Sequence, residues 1–290
     1  MKVLVSTDTS CLINYDVLKK YEISVFPLNV IIDGEEYLDG VTIKQDQLYE
    51  AMRANKIIKT STPPLGQVIQ YFEDLFEKGY DKIIHFTISS KLSSMYNLFA
   101  NVSKSYFDEK IVVIDSYALS GVMLSQVLLA YDEIQKGTEI EKIVEMIEAR
   151  KPDNDVCFIP ENLTALKNGG RISPAVAAIG NVIGLKPVLL LKDGELAKEG
   201  MTRHIKNAFI DHLNAIKDKY PTSQYDYLLI TFGANEKIYS SLKGHIEEMF
   251  DGYKLLDGLI PINVCAHCGP GTFGVMAFPR INGKSLNEFL

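Results

Sequence analysis

The densest chemistry in the 290-residue chain is the stretch Val264-Cys265-Ala266-His267-Cys268-Gly269-Pro270-Gly271-Thr272-Phe273-Gly274. It sets an imidazole between two thiols, ahead of a glycine- and proline-rich backbone that must turn sharply and expose N–H groups. Three chemistries fit: a metal or redox Cys-x-x-Cys, a catalytic histidine, or a polar end-stop for a ligand. A structural zinc site needs four ligands, usually as two paired motifs, and Cys265 and Cys268 have no second pair, so no metal is expected. A thioredoxin-type pair opens a helix after an early strand, whereas this one lies late in the chain beside a Gly-Pro-Gly turn. Cys268 then reads as a small, moderately apolar residue in a tight turn.

Hydroxyl-rich loops are the second feature. Ser6-Thr7-Asp8-Thr9-Ser10 follows a short apolar strand, Lys59-Thr60-Ser61-Thr62-Pro63-Pro64 forms a rigid turn, Ser89-Ser90-Lys91-Leu92-Ser93-Ser94 follows a strand over 82–88, and Asp115-Ser116 ends another over 111–114. A serine hydrolase could draw on Ser93, His267 and an acid such as Asp8 or Asp115. The nucleophile-elbow pattern Gly-x-Ser-x-Gly is absent, however, and Ser93 is flanked by Leu92 and Ser94. Neither phosphate-loop pattern follows the first strand, which disfavours nucleotide cofactors. Hydroxyls, one imidazole and turn N–H groups can instead hydrogen-bond a carboxylate without burying an opposing charge. Each hydroxyl cluster taken singly also suits helix capping and turns.

Periodicity supplies the frame. Strands expected over 2–5, 82–88 and 111–114 alternate with helices over 65–78, 95–102 and 118–135, the signature of parallel βαβ units whose ligands sit beyond the strands' carboxyl ends. An edge strand with Pro27 is expected over 23–32, a helix over 45–55, and a Thr138–Glu141 capping box opening a helix to residue 150. Lys151-Pro152-Asp153-Asn154-Asp155 reads as a linker, which divides the chain into domains 1–153 and 154–290. In the second, strands are expected over 156–159, 187–191, 196–198, 227–232, 259–264 and 274–278, with helices over 161–168, 203–219 and 235–250. The run 174–185, opened by Ser173-Pro174, has almost no polar face and suits a buried helix or the wall of an apolar cavity. The fold class is therefore α/β with two domains, an N-terminal parallel-sheet βαβ domain and a C-terminal α+β domain, the ligand between them.

Composition narrows the partners. A formal net charge of −7 without a Lys/Arg run argues against nucleic acid, and 47% apolar with 23% charged residues is ordinary for a folded soluble chain. No stretch approaches the roughly 18 apolar residues of a membrane span, and the N-terminal apolar run is too short for a signal peptide. Four cysteines are too few for a disulfide scaffold and suit a reducing compartment, so a cytoplasmic location is expected.

In order and spacing, the motifs Val5-Ser6-Thr7-Asp8-Thr9-Ser10, Lys59-Thr60-Ser61-Thr62-Pro63, Ser89-Ser90-Lys91-Leu92-Ser93, Val113-Ile114-Asp115-Ser116, Leu166-Lys167-Asn168-Gly169-Gly170-Arg171-Ile172-Ser173, Gly184-Leu185-Lys186-Pro187 and His267-Cys268-Gly269-Pro270-Gly271 make the chain resemble the DegV family of bacterial fatty-acid-binding proteins. The resemblance implies a long-chain fatty acid of the palmitate or oleate type between the domains. Its carboxylate would be held near Thr60, Ser61, Ser93 and His267, with Ser94 a lesser contributor, and its acyl chain would lie in a tunnel. It further implies a carrier without catalysis of its own or any cofactor, which presents the acid to a fatty acid kinase for acyl phosphate formation and phospholipid synthesis. Arg171 and Arg203 are the basic residues expected near the head group or the kinase-facing surface. The alternative is a Ser-His hydrolase of acyl esters using Ser93 and His267. This chain has Leu92-Ser93-Ser94-Met95-Tyr96 where the family commonly has Leu-Ser-Gly-Thr-Tyr, and Pro64 where a small residue is usual.

Overall fold

The computed structural model describes residues 1–172 and 184–290. Short apolar runs build the first sheet: β1 (Val3–Asp8), β2 (Ile23–Phe26), β6 (Lys82–Thr87) and β7 (Ile111–Asp115) pair in parallel in the order β2-β1-β6-β7. The order reverses between β1 and β6, so the crevice past their carboxyl ends is the switch point where such sheets bind ligands. Asp8 ties those ends together, accepting from the Ser10 N–H at 2.8 Å and the Ile88 N–H at 3.0 Å.

The edge strand expected over 23–32 is two strands. Pro27 lacks the N–H needed to continue the ladder, and the chain leaves β2 there to enter β3 (Asn29–Ile32) of a different sheet. That small antiparallel sheet runs β4-β3-β5, with β4 (Glu35–Leu38) and β5 (Ile58–Ser61) flanking β3, and α1 (Gln45–Arg53) joining its outer strands.

Helices α2 (Leu65–Glu77) and α3 (Met95–Tyr106) pack together, with Phe72 and Phe99 fully buried beside the sheet's His85, whose ring stacks on Phe99 at 4.2 Å. Helix α4 (Ser120–Gln135) is different in kind. Every residue from Ser120 to Ala130 is buried, the pattern of a helix covered on all sides. It packs on β1 of the first sheet and on β13 (Thr272–Pro279) of a second. Helix α5 (Ile140–Arg150) follows without the expected capping box, because the Thr138 hydroxyl donates to Glu133 Oε2 at 2.7 Å and Glu139 stands at the cap with no side-chain bond.

The second sheet is mixed and drawn wholly from residues after 154, in the order β10-β9-β8-β13-β11-β12. It comprises β8 (Asp155–Ile159), β9 (Lys186–Lys192), β10 (Glu195–Thr202), β11 (Tyr225–Phe232), β12 (Leu256–Leu259) and β13; β11 and β12 run parallel and the other neighbours antiparallel. Helices α6 (Thr164–Gly169), α7 (Ile205–Ile216), α8 (Glu236–Met249) and α9 (Ile262–Cys268) complete the described residues. The strand expected over 259–264 is overturned: β12 stops at Leu259, Pro261 caps a helix, and Ile262, Cys265 and Ala266 recur at helical spacing on its buried side. The buried helix expected over 174–185 lies, but for its last two residues, outside the described residues. The architecture is α/β, a parallel-sheet half followed by a half built on a mixed sheet.

Candidate functional site

One cavity opens between the two sheets, with about 950 Å³ of empty space when its mouth and the adjoining solvent are included. Its walls are apolar on both sides: Ile88, Leu92, Met95 and Leu119 from the first half, and Phe158, Leu166, Leu189 and Leu196 from the second. Polar lining residues come from β5, the loop after β6, and α9. Thr60 Oγ1 lies 2.8 Å from His267 Nε2, which joins the small sheet to the second half at the cavity wall.

Local sequence explains the placement. Thr60 and Ser61 close β5 just before Thr62-Pro63-Pro64 ends the strand. Ser93 lies in the loop between β6 and α3, its hydroxyl accepting from the Met95 N–H at 3.4 Å. His267 sits in the last turn of α9, and Gly269 and Gly271, at φ +74° and +82°, turn the chain back into β13. The Gly169-Gly170 pair that ends α6 has a steric reason: a Cβ on Gly169 would lie 2.2 Å from His267 Nδ1. Only glycine leaves the ring its place.

Burial, reinforced by the nearby Arg171 charge, pushes the His267 imidazole down to about 4. A histidine whose native pKa is lowered stays neutral where the unfolded chain is already protonated, so it costs stability progressively as pH falls below about 6.5. An NMR titration of the His267 ring should therefore stay flat down to about pH 5; a midpoint near 6.5 would contradict the buried environment described here. Arg171 is half-buried at the cavity wall, donating from Nε to Leu92 O at 3.2 Å and from Nη1 to Gly169 O. Burial lowers its pKa.

The structure therefore brings Thr60, Ser61, Ser93, His267 and Arg171 to one cavity. Ser94 is exposed outside the lining, its hydroxyl 2.9 Å from that of Thr62, and Arg203 is exposed and also outside the lining. The other hydroxyl loops fasten structure: Ser6 bonds His85 Nδ1 at 2.9 Å, Ser116 donates to Ala118 O at 3.0 Å, and Ser89 donates to Gly194 O at 2.7 Å. The last of these pins the β9–β10 turn onto the first half.

Two polar lining residues lie outside the site motifs legible in the sequence. Asn29 stands opposite Ser61 in the β3–β5 register, and Asn263 lies four residues before His267 on the same face of α9. Among the described residues Asn29 Oδ1, Asn263 Oδ1, Ser61 Oγ and His267 Nδ1 are buried without a hydrogen-bond partner, unspent polar capacity that a polar ligand group could use. The available signal was a lone amide in each of two apolar runs, since a buried polar residue is the informative exception. Among the described residues no cluster of three or more His, Cys, Asp or Glu could hold a metal ion. No described helix is long and apolar enough to cross a membrane.

Comparison with known proteins gives a consistent picture. Residues 2–280 match the model of the family described as "Uncharacterised protein, DegV family". A DegV domain-containing protein of Clostridium acetobutylicum is 32% identical over 278 residues, covering 94% of this chain and 97% of its own. Among solved structures, a DegV family protein from Thermus thermophilus, described for its fatty acid binding, is 26% identical with a TM-score of 0.85, covering 97% of this chain and 100% of its own. A stearic acid-binding protein from Eubacterium ventriosum is likewise 26% identical with a TM-score of 0.85, over 97% and 99% of the two chains.

Proposed function

The chain belongs to the DegV family, and from that premise we propose that it is a carrier of long-chain fatty acids, with residues 1–153 and 154–290 acting as two domains that close around the acyl chain. One observation carries the reading: a cavity with apolar walls from both halves whose lining also includes Thr60, Ser61, Ser93 and His267. A tail buried there gains about 0.8 kcal/mol per methylene, while hydrogen bonds to a charged head group are worth about 1.5–3 kcal/mol. The tail thus sets affinity and the head group sets orientation.

The carrier presents the carboxylate to a fatty acid kinase, which forms the acyl phosphate for phospholipid synthesis, and we place this exchange in the cytoplasm with the kinase's ATP. Arg171 at the cavity wall, and Ser94 and Arg203 on the exposed surface, are the residues we assign to the head-group vicinity or the kinase-facing side. Catalysis by the chain itself has little support. His267 Nε2 faces Thr60, and among the described residues Nδ1 has no partner and no carboxylate orients the ring as a Ser-His hydrolase requires.

Titrating delipidated protein with acids of increasing chain length tests the proposal. Affinity should rise by up to about fourfold per methylene until the cavity is filled; affinity independent of chain length would overturn it. Adding a fatty acid kinase and ATP to loaded protein should give acyl phosphate trappable with hydroxylamine. Acyl-ester turnover without the kinase, abolished by Ser93→Ala, would favour the hydrolase.

A further inference from the structure

Outside the cavity, Asp39 is a carboxylate with no exposed surface whose hydrogen-bond partners are all neutral. It lies just past β4, where the loop bridges back to Ile43. The Tyr15 hydroxyl donates to Oδ1 at 2.5 Å, the Thr9 hydroxyl to Oδ2 at 3.1 Å, and the Asn263 N–H to Oδ2 at 3.0 Å. Each donor brings an element with it. Thr9 Oγ1 accepts from the Leu28 N–H at 3.3 Å, and Tyr15 accepts from the Ile262 N–H at 3.3 Å. A Cβ on Gly40, at φ +72°, would lie 2.1 Å from the Tyr15 ring, so the loop sits flush against it.

Helix α9 has no side-chain cap of its own, Pro261 occupying that position. Its first turn is held by Asp39, by Tyr15, and by the Asn263 amide, which donates to Ser10 Oγ at 2.7 Å. The same helix carries Asn263 and His267 into the cavity. We propose that Asp39 is a positioning residue for the ligand site: its ionised carboxylate holds α9 where His267 meets Thr60, and proton uptake there loosens the helix and weakens ligand binding. The inference rests on the reading of the cavity as a ligand site.

An ionised carboxylate accepts from all three donors, whereas a protonated one adds a fourth hydrogen where three already converge, so one contact is given up. Burial pushes Asp39 up to about 7, its three donors opposing the shift. The other titratable groups facing it are Asp8 at the end of β1, Cys11 in the following turn, Tyr15, and Cys265 on α9. Burial raises all four, which keeps the thiols and the phenol neutral. The sign is distinctive. A carboxyl whose native pKa is raised costs stability when ionised, and that cost disappears as pH falls through about 7. Asp39's own contribution to stability should thus rise as pH falls through about 7, read as the difference between wild type and Asp39→Asn, while His267 acts in the opposite sense below about 6.5 and ligand binding weakens; a purely structural role would not move the binding.

The test measures oleate affinity and thermal stability of delipidated protein from pH 5.5 to 8.5. Wild type should bind roughly tenfold more weakly at pH 6 than at pH 8, the worth of one net hydrogen bond, with the transition near pH 7. Asp39→Asn should bind at the weaker level throughout, and the ligand's own titration cancels between the two proteins. If that variant does not fold, Tyr15→Phe takes its place and should move the transition to higher pH by removing one donor. Identical pH profiles in wild type and variant would overturn the proposal. Wild type that binds no fatty acid at any pH would instead overturn the ligand reading. Asp39 would then be judged by the backbone amide resonances of the first turn of α9, which its carboxylate holds through the Asn263 N–H: they should shift across pH 7 in wild type and stay fixed in Asp39→Asn, and no shift in wild type would overturn it.

Discussion

Replacing His267 with alanine, or Thr60 with valine, should weaken fatty-acid binding by about ten- to a hundredfold while leaving the fold in place. Both partners of the 2.8 Å Thr60–His267 contact border the cavity, and a hydrogen bond to a charged head group contributes about 1.5–3 kcal/mol. Thr60→Val is the sharper test because it keeps the side chain's shape and removes only the hydroxyl. Loss of affinity should be similar for long and short acids, since the tail contacts are untouched. Affinity within twofold of wild type in both variants would show that the contact only braces the two halves. Calorimetric titration of delipidated protein with oleate reads the difference.

Gly121→Val should give the largest loss of stability. Gly121 lies in the first turn of α4, between the two sheets, and a Cβ there would fall 2.2 Å from Leu228 Cδ2 and 3.3 Å from Phe278 Cε1. Valine adds still more volume to a layer already closed on both sides, and overpacking of this kind costs about 1–3 kcal/mol. For a chain of this size the melting temperature should drop by several degrees, at about 2–4 °C per kcal/mol. Because α4 separates the sheets that enclose the cavity, ligand affinity should fall as well. A melting temperature equal to wild type would mean that the layers separate freely, against the account of α4 as their common core.

Much of this was legible in the chain. The parallel strands announced themselves as apolar runs ending in hydroxyl loops, and Thr60 with Ser61, Ser93 and His267, from three segments far apart in sequence, line one cavity. What misled was local ambiguity. The run 259–264 is apolar and β-branched enough to read as a strand, yet Pro261 starts a helix whose buried side follows the 3.6-residue period. The run 23–32 reads as one strand because its apolar residues continue past Pro27, and nothing local says that the chain changes sheets there. The Thr138 capping box failed because Glu133, one turn back on α4, took the hydroxyl. Several serines that suggested binding, such as Ser89 and Ser116, spend their hydroxyls on backbone carbonyls, the capping and turn role equally open to them. Asn29, Asn263 and Asp39 act through partners more than 200 positions away or across a sheet register, and no window of sequence contains such pairs.

The most direct test is chemical. Lipid extracted from the purified protein and measured by gas chromatography should contain close to one long-chain fatty acid per chain. Protein that emerges empty and also fails to bind added palmitate or oleate would contradict the carrier assignment.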